Sequence, residues 1–300
     1  MIRVCLLCVL IAALGAGCGK SNVGESRAAG STRTNLQTYQ VRGVVTAVKP
    51  KEKSVEIRHE DIPGVMPAMR MPFDVRDTNE LAGLGAGDPV TFRLTVTDTD
   101  SWVDQIRKTG PRTNLLPVAG PIRITRDVEP LNEGDRLPEF RFTNQFGEAF
   151  SSAQFNGQAL AINFIFTRCP LPTMCPQTAR YFAATQQKLL ARPNGPTNWH
   201  LVTISFDPEV DTPAVLKAYA ERQHADPQRW TFATGAPADI TAFGDQFGLV
   251  VIRDTPGGAP THNLRTVVVD ATGRVQKIIP GNEWTSDELV AEMLKAAAAK

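Results

Sequence analysis

Leu160-Ala-Ile-Asn-Phe-Ile-Phe166 runs directly into Thr167-Arg168-Cys169-Pro-Leu-Pro-Thr-Met-Cys175-Pro176. The first part is a short apolar run of the kind that forms a buried strand. The second carries two cysteines and leads into a helical pattern from Cys175 to about Ala191. Amide groups at a helix start are unpaired and carry partial positive charge, which lowers the pKa of a nearby thiol. Thiolate is the form that binds soft metals and attacks disulfides, so the location favours chemistry. A structural disulfide is the plainer alternative. Closing a loop of about seven residues would stabilise by only roughly 2 kcal/mol, which a domain of this size hardly needs.

Outward from this stretch, strands and helices alternate. A hairpin is expected from Phe140 to Phe150, a buried strand from Leu201 to Phe206 and a helix after Thr212-Pro213, an N-cap with proline in the first turn. Another helix runs from about Pro237 to Phe247. Leu264 to Val269 and Val275 to Ile279 form a hairpin around Asp270–Gly273, and Thr285-Ser-Asp-Glu288 opens a last helix with a capping box. This order predicts an α/β sheet covered by helices over residues 132–300.

The N-terminal half differs. Val41 to Val48, Val55 with Ile57, Met71 to Val75, Val90 to Val96 and Val103 to Ile106 are short strands within residues 39–109, with Gly87-Asp88 as a turn. That spacing predicts a small all-β, OB-like barrel. Residues 110–131, with four prolines, read as a linker, and the polar residues 19–38 as a flexible tether. Residues 1–18 combine Arg3, an apolar run from Val4 to Leu14 and the small residues Gly15-Ala16-Gly17 before Cys18. This is an export signal. The string before Cys18 resembles a bacterial lipobox, which implies lipidation of Cys18 and a position on the periplasmic face of a bacterial membrane. The formal net charge of +1 leaves no basic stripe for nucleic acid.

Of five cysteines, Cys5 and Cys8 leave with the signal and Cys18 takes the lipid, so only Cys169 and Cys175 remain. Two cysteines are too few for a disulfide scaffold and well placed for a redox or metal pair. In the barrel half, Met66-Pro-Ala-Met69-Arg-Met71 concentrates three methionines within six residues, just after His59. In an extended segment Met69 and Met71 share a face. Thioethers are soft neutral ligands that select Cu(I) or Ag(I). A methionine-lined core face is the alternative.

Residues from about Asn132 to Leu294 resemble the Sco/SenC family of copper-binding thioredoxin-like proteins. The matching pieces are Gly134-Asp135, Phe166-Thr-Arg-Cys169 with Cys175-Pro176, Ser205-Phe-Asp207-Pro208, Asp211-Thr-Pro213, Trp230, and His262 with Leu264 to Asp270. The resemblance implies copper, Cu(I) or Cu(II), held by Cys169, Cys175 and His262, a Cys169–Cys175 disulfide in the oxidised form, and delivery to the dicopper centre of cytochrome c oxidase subunit II or another periplasmic acceptor. The usual motif has three residues between the cysteines. Five stand here, which favours Cu(I) or redox exchange over a tight Cu(II) site. Residues 40–108 resemble the CusF-like periplasmic copper-binding barrels through His59-Glu60, Ile62-Pro63, Met66-Pro-Ala-Met69, Met71, Phe73, Gly87-Asp88 and Trp102. That resemblance implies His59, Met69 and Met71 as ligands, with Met66 in place of the family's metal-covering tryptophan and an additional candidate. Asp207 is either an acid near the thiol site or a turn residue. His200 and His224 read as solvated or capping residues. The rival functions are a thiol–disulfide oxidoreductase acting through Cys169 and Cys175, against which stands the absence of Cys-x-x-Cys, and copper sequestration for resistance.

Overall fold

Five strands near the N-terminus meander into one sheet of order β3-β2-β1-β4-β5: β1 Gln37–Lys49, β2 Ser54–His59, β3 Met69–Asp74, β4 Pro89–Val96 and β5 Ser101–Lys108. The computed structural model describes residues 36–66, 68–112, 128, 130–253 and 260–300. The signal, Cys18, most of the tether and most of the linker lie outside these residues. β1 is long enough to pair with β4 along its first half and with β2 along its second, and a bulge between Val45 and Ala47 bends it. A parallel bridge from Val75 to Val103 joins the β3 end to β5 and closes the sheet on itself. The expected barrel forms, filled by Val45, Ile57, Phe92, Leu94 and Val103, all essentially inaccessible. Gly43 lies opposite His59 in the β1–β2 ladder, and a Cβ there would stand 2.5 Å from the Ile57 side chain and 2.7 Å from the Arg58 carbonyl. Only glycine allows this approach.

The second sheet has seven strands in the order β14-β13-β8-β9-β10-β6-β7. They are β6 Arg141–Asn144, β7 Ala149–Ser151, β8 Ala159–Ile165, β9 Trp199–Ser205, β10 Trp230–Thr234, β13 Arg265–Val269 and β14 Val275–Pro280. β8, β9 and β10 are parallel, and antiparallel pairs flank them. Every residue of β8 and β9 is buried, as the uninterrupted apolar run of β8 predicts. The crossover helices are α1 Cys175–Leu190 and α2 Pro213–Arg222, followed by α3 Pro237–Asp245 and the terminal α4 Ser286–Ala297. α4 packs on α1 and against β8 and β13, and α2 packs on β10. The Thr212 cap accepts from the Val215 amide, and Thr285 and Glu288 form the reciprocal capping box. The small strands β11 Val251–Ile252 and β12 Thr261–His262 pair with each other.

One histidine departs from expectation. His200 lies on β9 and is buried, not solvated. Its Nε2 is 2.8 Å from Thr231 Oγ1, and its ring lies 4.9 Å from that of Phe155. Burial drives its pKa down to about 4. His224 is exposed just past α2, in the left-handed conformation that ends the helix. Among the described residues no helix is long and apolar enough to cross a membrane.

Candidate metal centre

The thiol site assembles at the C-terminal end of β8. Cys169 sits on the loop that leaves this strand, Cys175 is the first residue of α1, and His262 closes β12. Cys175 Sγ lies 3.5 Å from His262 Nε2. Nδ1 of His262 donates to the Asn263 carbonyl at 2.8 Å, which leaves Nε2 facing the Cys175 thiol. Phe206 and Phe166 pack on the imidazole at 4.6 and 5.6 Å between centroids, so its orientation is set by packing. Cys169 and Cys175 are free thiols, and the disulfide expected between them is not formed in this structure. Hydrogen bonding from Cys175, and then from His262, holds the Cys169 thiol well below the ordinary range, whereas burial pushes the Cys175 thiol up.

Buried carboxylates hold the loop. Asp211, fully buried, accepts from the Thr167 amide at 3.0 Å and from the hydroxyls of Thr167 and Ser205, both at 2.5 Å. Asp207, also fully buried, accepts from Arg168 and Arg253 at 2.8 Å each. Both sequence expectations for Asp207 are met: its carboxylate clamps the arginine next to Cys169, and its carbonyl accepts the Val210 and Asp211 amides in a turn. Asp211, Arg253 and Met174 carry no role in the sequence reading. The Asp207-x-x-x-Asp211 spacing was the available signal for the first.

The barrel set is built on the β2–β3 ladder. His59 pairs directly with Met69, and Ile57 with Met71. Inward-facing positions alternate, so His59, Met69 and Met71 are all buried, as is Met66. His59 repeats the arrangement of His262: Nδ1 donates to the Glu60 carbonyl at 2.7 Å, and Nε2 is buried with no hydrogen-bond partner among the described residues. Burial lowers its pKa, so the ring is neutral with a lone pair to offer. A metal-binding histidine characteristically has its second nitrogen tied to a carbonyl in this way. The orphaned, buried Nε2, on the residue paired with Met69 in the β2–β3 ladder, fits a soft metal ion. Arg76 stacks on the Trp102 ring at 3.3 Å from the centroid.

The two sets are neighbours. Residues 34–300 form one compact unit, in which β12 packs on β3. A cavity of about 20 Å³ lies between the halves, lined by Met69 and Met71 on one side and by Cys169, Met174 and His262 on the other. Among the described residues no three His, Cys, Asp or Glu side chains are already arranged to hold a metal ion. The 3.5 Å sulfur–nitrogen separation at Cys175 and His262 is close to what two ligands of one ion require, given bonds of about 2.3 and 2.0 Å for zinc, a d¹⁰ ion like Cu(I).

Such a constellation, a thiol pair at a strand-to-helix turn facing a distant histidine on a thioredoxin-like sheet, defines a thiol-based metal-handling protein. Residues 129–298 match the SCO1/SenC family model, more than half of the chain, and the chain belongs to that family. Residues 38–108 match the model described as copper binding periplasmic protein CusF. Among curated relatives, the SCO1 protein homolog of Bacillus subtilis (strain 168) is 29% identical over 175 residues, covering 57% of this chain and 87% of its own length. The SCO2-like protein of Rickettsia felis is 30% identical over 176 residues, covering 55% and 77%. A solved SCO1/SenC family lipoprotein from Bacillus anthracis str. Ames is 29% identical with a TM-score of 0.49, covering 56% of this chain and 98% of that one. Copper is the metal these assignments support, together with a copper-handling, thiol-redox role.

Proposed function

We propose that the protein is a lipid-anchored periplasmic copper chaperone, in which Cys169, Cys175 and His262 hold the copper that is delivered. The observation that carries this reading is the facing of Cys175 Sγ and His262 Nε2 at 3.5 Å, with Cys169 on the same loop. Two thiolates and an imidazole suit Cu(I), a soft ion content with few ligands. The Asp211 and Asp207 contacts keep the loop in place while the metal comes and goes. The acceptor we propose is the dicopper centre of cytochrome c oxidase subunit II, as family membership implies, and the barrel set of His59, Met69 and Met71 holds a second Cu(I). Acylated Cys18 is the proposed anchor.

The test is Cu(I) titration of the full chain against a competing chelator. Cys169→Ala or Cys175→Ala is expected to abolish the tighter site, and His262→Ala to weaken it by about tenfold or more with the fold intact. Unchanged affinity in the His262 variant would remove that residue from the site. Fractionation of a Cys18→Ala variant tests the anchor: full membrane retention of a processed chain overturns it. A thiol–disulfide reductase activity is favoured by one observation, two free thiols of unequal exposure, the half-buried Cys169 suiting attack and the fully buried Cys175 resolution. The two roles are compatible, since delivery requires reduced acceptor cysteines.

A further inference from the structure

The family patterns place a thioether set in the barrel and a thiolate set in the thioredoxin-like half, each complete by itself. The structure opens two members of each onto one cavity. Met69 and Met71 reach it from β3, Cys169 and His262 reach it from the opposite side, and Met174 stands on the same wall as Cys169. At about 20 Å³ the cavity has room for roughly one water-sized sphere, hence for one ion and no solvent shell. The thioethers on its barrel side are withdrawn from water, Met69 being 6% and Met71 7% exposed.

The five-residue spacing between the cysteines is what makes this contact. Thr173, within the longer loop, has its hydroxyl 3.0 Å from Ser101 at the start of β5, and its carbonyl accepts from Asn282. The loop is thus pinned to the barrel on one side and to its own domain on the other. On the far side of the cavity, Thr261 of β12 donates its hydroxyl to the Arg70 carbonyl, between Met69 and Met71. The residues next to His262 and next to the thioethers are therefore tied together.

We propose that this cavity is a Cu(I) transfer site: the ion passes from Met69 and Met71 directly to Cys169 and His262, with Met174 as an intermediate ligand, and does not enter solvent. The proposal rests on the reading that the cysteine–histidine set binds copper. Copper stays Cu(I) throughout. A copper–thioether bond breaks as a copper–thiolate bond forms, and the proton displaced from the thiol goes to the buffer, so neither oxidant nor reductant is needed. Anionic thiolates outcompete neutral thioethers for this ion, which gives the transfer its direction.

The test uses the full chain with Cys169 and Cys175 oxidised to the disulfide and one equivalent of Cu(I) loaded. The disulfide is then opened with a phosphine, which supplies the two electrons and takes the oxygen of a water molecule whose two protons go to the thiols, in the presence of excess water-soluble Cu(I) chelator. The ultraviolet absorbance of Cu(I)–thiolate is expected to rise with first-order kinetics, at a rate independent of protein concentration, with little copper captured by the chelator. Met174→Leu, which conserves volume, should slow the rise by about tenfold or more. Capture of the copper by the chelator, a rate that scales with protein concentration, or an unchanged rate in the Met174 variant overturns the proposal. A reduced chain that shows no Cu(I)–thiolate absorbance overturns the functional reading on which it rests, whereas intact thiolate binding with chelator capture overturns the transfer site alone.

Discussion

The two halves treat their histidines alike and their sulfurs differently. His59 and His262 each donate from Nδ1 to the carbonyl of the following residue, at 2.7 and 2.8 Å, which leaves Nε2 of each available to a metal ion. The barrel sulfurs are thioethers on one strand, Met69 and Met71, held by a continuous ladder with β2. The other sulfurs are thiols on a loop and a helix start, held by hydrogen bonds to Asp211 and Asp207. A thioether binds without losing a proton and cannot form a disulfide. A thiol must ionise, and a neighbouring pair can close on itself. The difference makes one half indifferent to the disulfide state and the other dependent on it.

The largest expected effect breaks or upholds that comparison directly. The reduced chain is expected to bind about two Cu(I), filling the thiolate site first, and the oxidised chain about one, on the barrel. Titration against a chelator, before and after reduction, reads the difference. A Met69→Leu/Met71→Leu chain should bind none when oxidised. Equal stoichiometry in both redox states, or copper retained by the oxidised double variant, would show that the sulfur chemistry does not divide the halves.

The second effect sharpens the comparison through acid. His200, in the thioredoxin-like half, has its pKa held down to about 4 by burial, against about 6.5 in an unfolded chain. The folded state therefore prefers the neutral ring, and the unfolded state binds the extra proton. This contribution to stability is complete above pH 6.5 and is lost as pH falls toward 4, by up to about 3 kcal/mol at 1.36 kcal/mol per unit. Urea unfolding at pH 7 and pH 4.5 is expected to show a smaller acid loss for His200→Gln than for the parent chain. Equal losses would place the acid sensitivity elsewhere.

Much of this was legible along the chain because it depends on near neighbours. Val55 and Ile57 alternate, Thr212 caps Pro213, and Thr285 with Glu288 makes its box, each within a few residues. The family resemblances on both halves are borne out by the matching family models. What escaped the sequence depends on distant partners. His200 is buried because Phe155 and Thr231 arrive from other elements, and Asp211 is fixed by Thr167 far earlier in the chain. Trp102 gave no sign that Arg76 would occupy its face. The approach of the two donor sets had no sequence signal, since a linker of any composition permits both docked and separated halves.

The smallest effect concerns that approach. Ser101 lies in the barrel and Thr173 between the two cysteines, and their hydroxyls meet at 3.0 Å. Thr173 is half-buried, so water can replace the partner lost in Ser101→Ala. The net cost is then about 1 kcal/mol or less, and each metal site should keep its own affinity. The informative measurement is amide hydrogen exchange over residues 171–175. If the halves are docked as described, a substitution in β5 loosens a loop of the other domain, and exchange there should accelerate although no residue of that loop has changed. Exchange altered only within the barrel would mean that the hydroxyl contact does not restrain the cysteine loop, and the restraint would then have to come from the Thr261–Arg70 contact on the opposite side of the cavity.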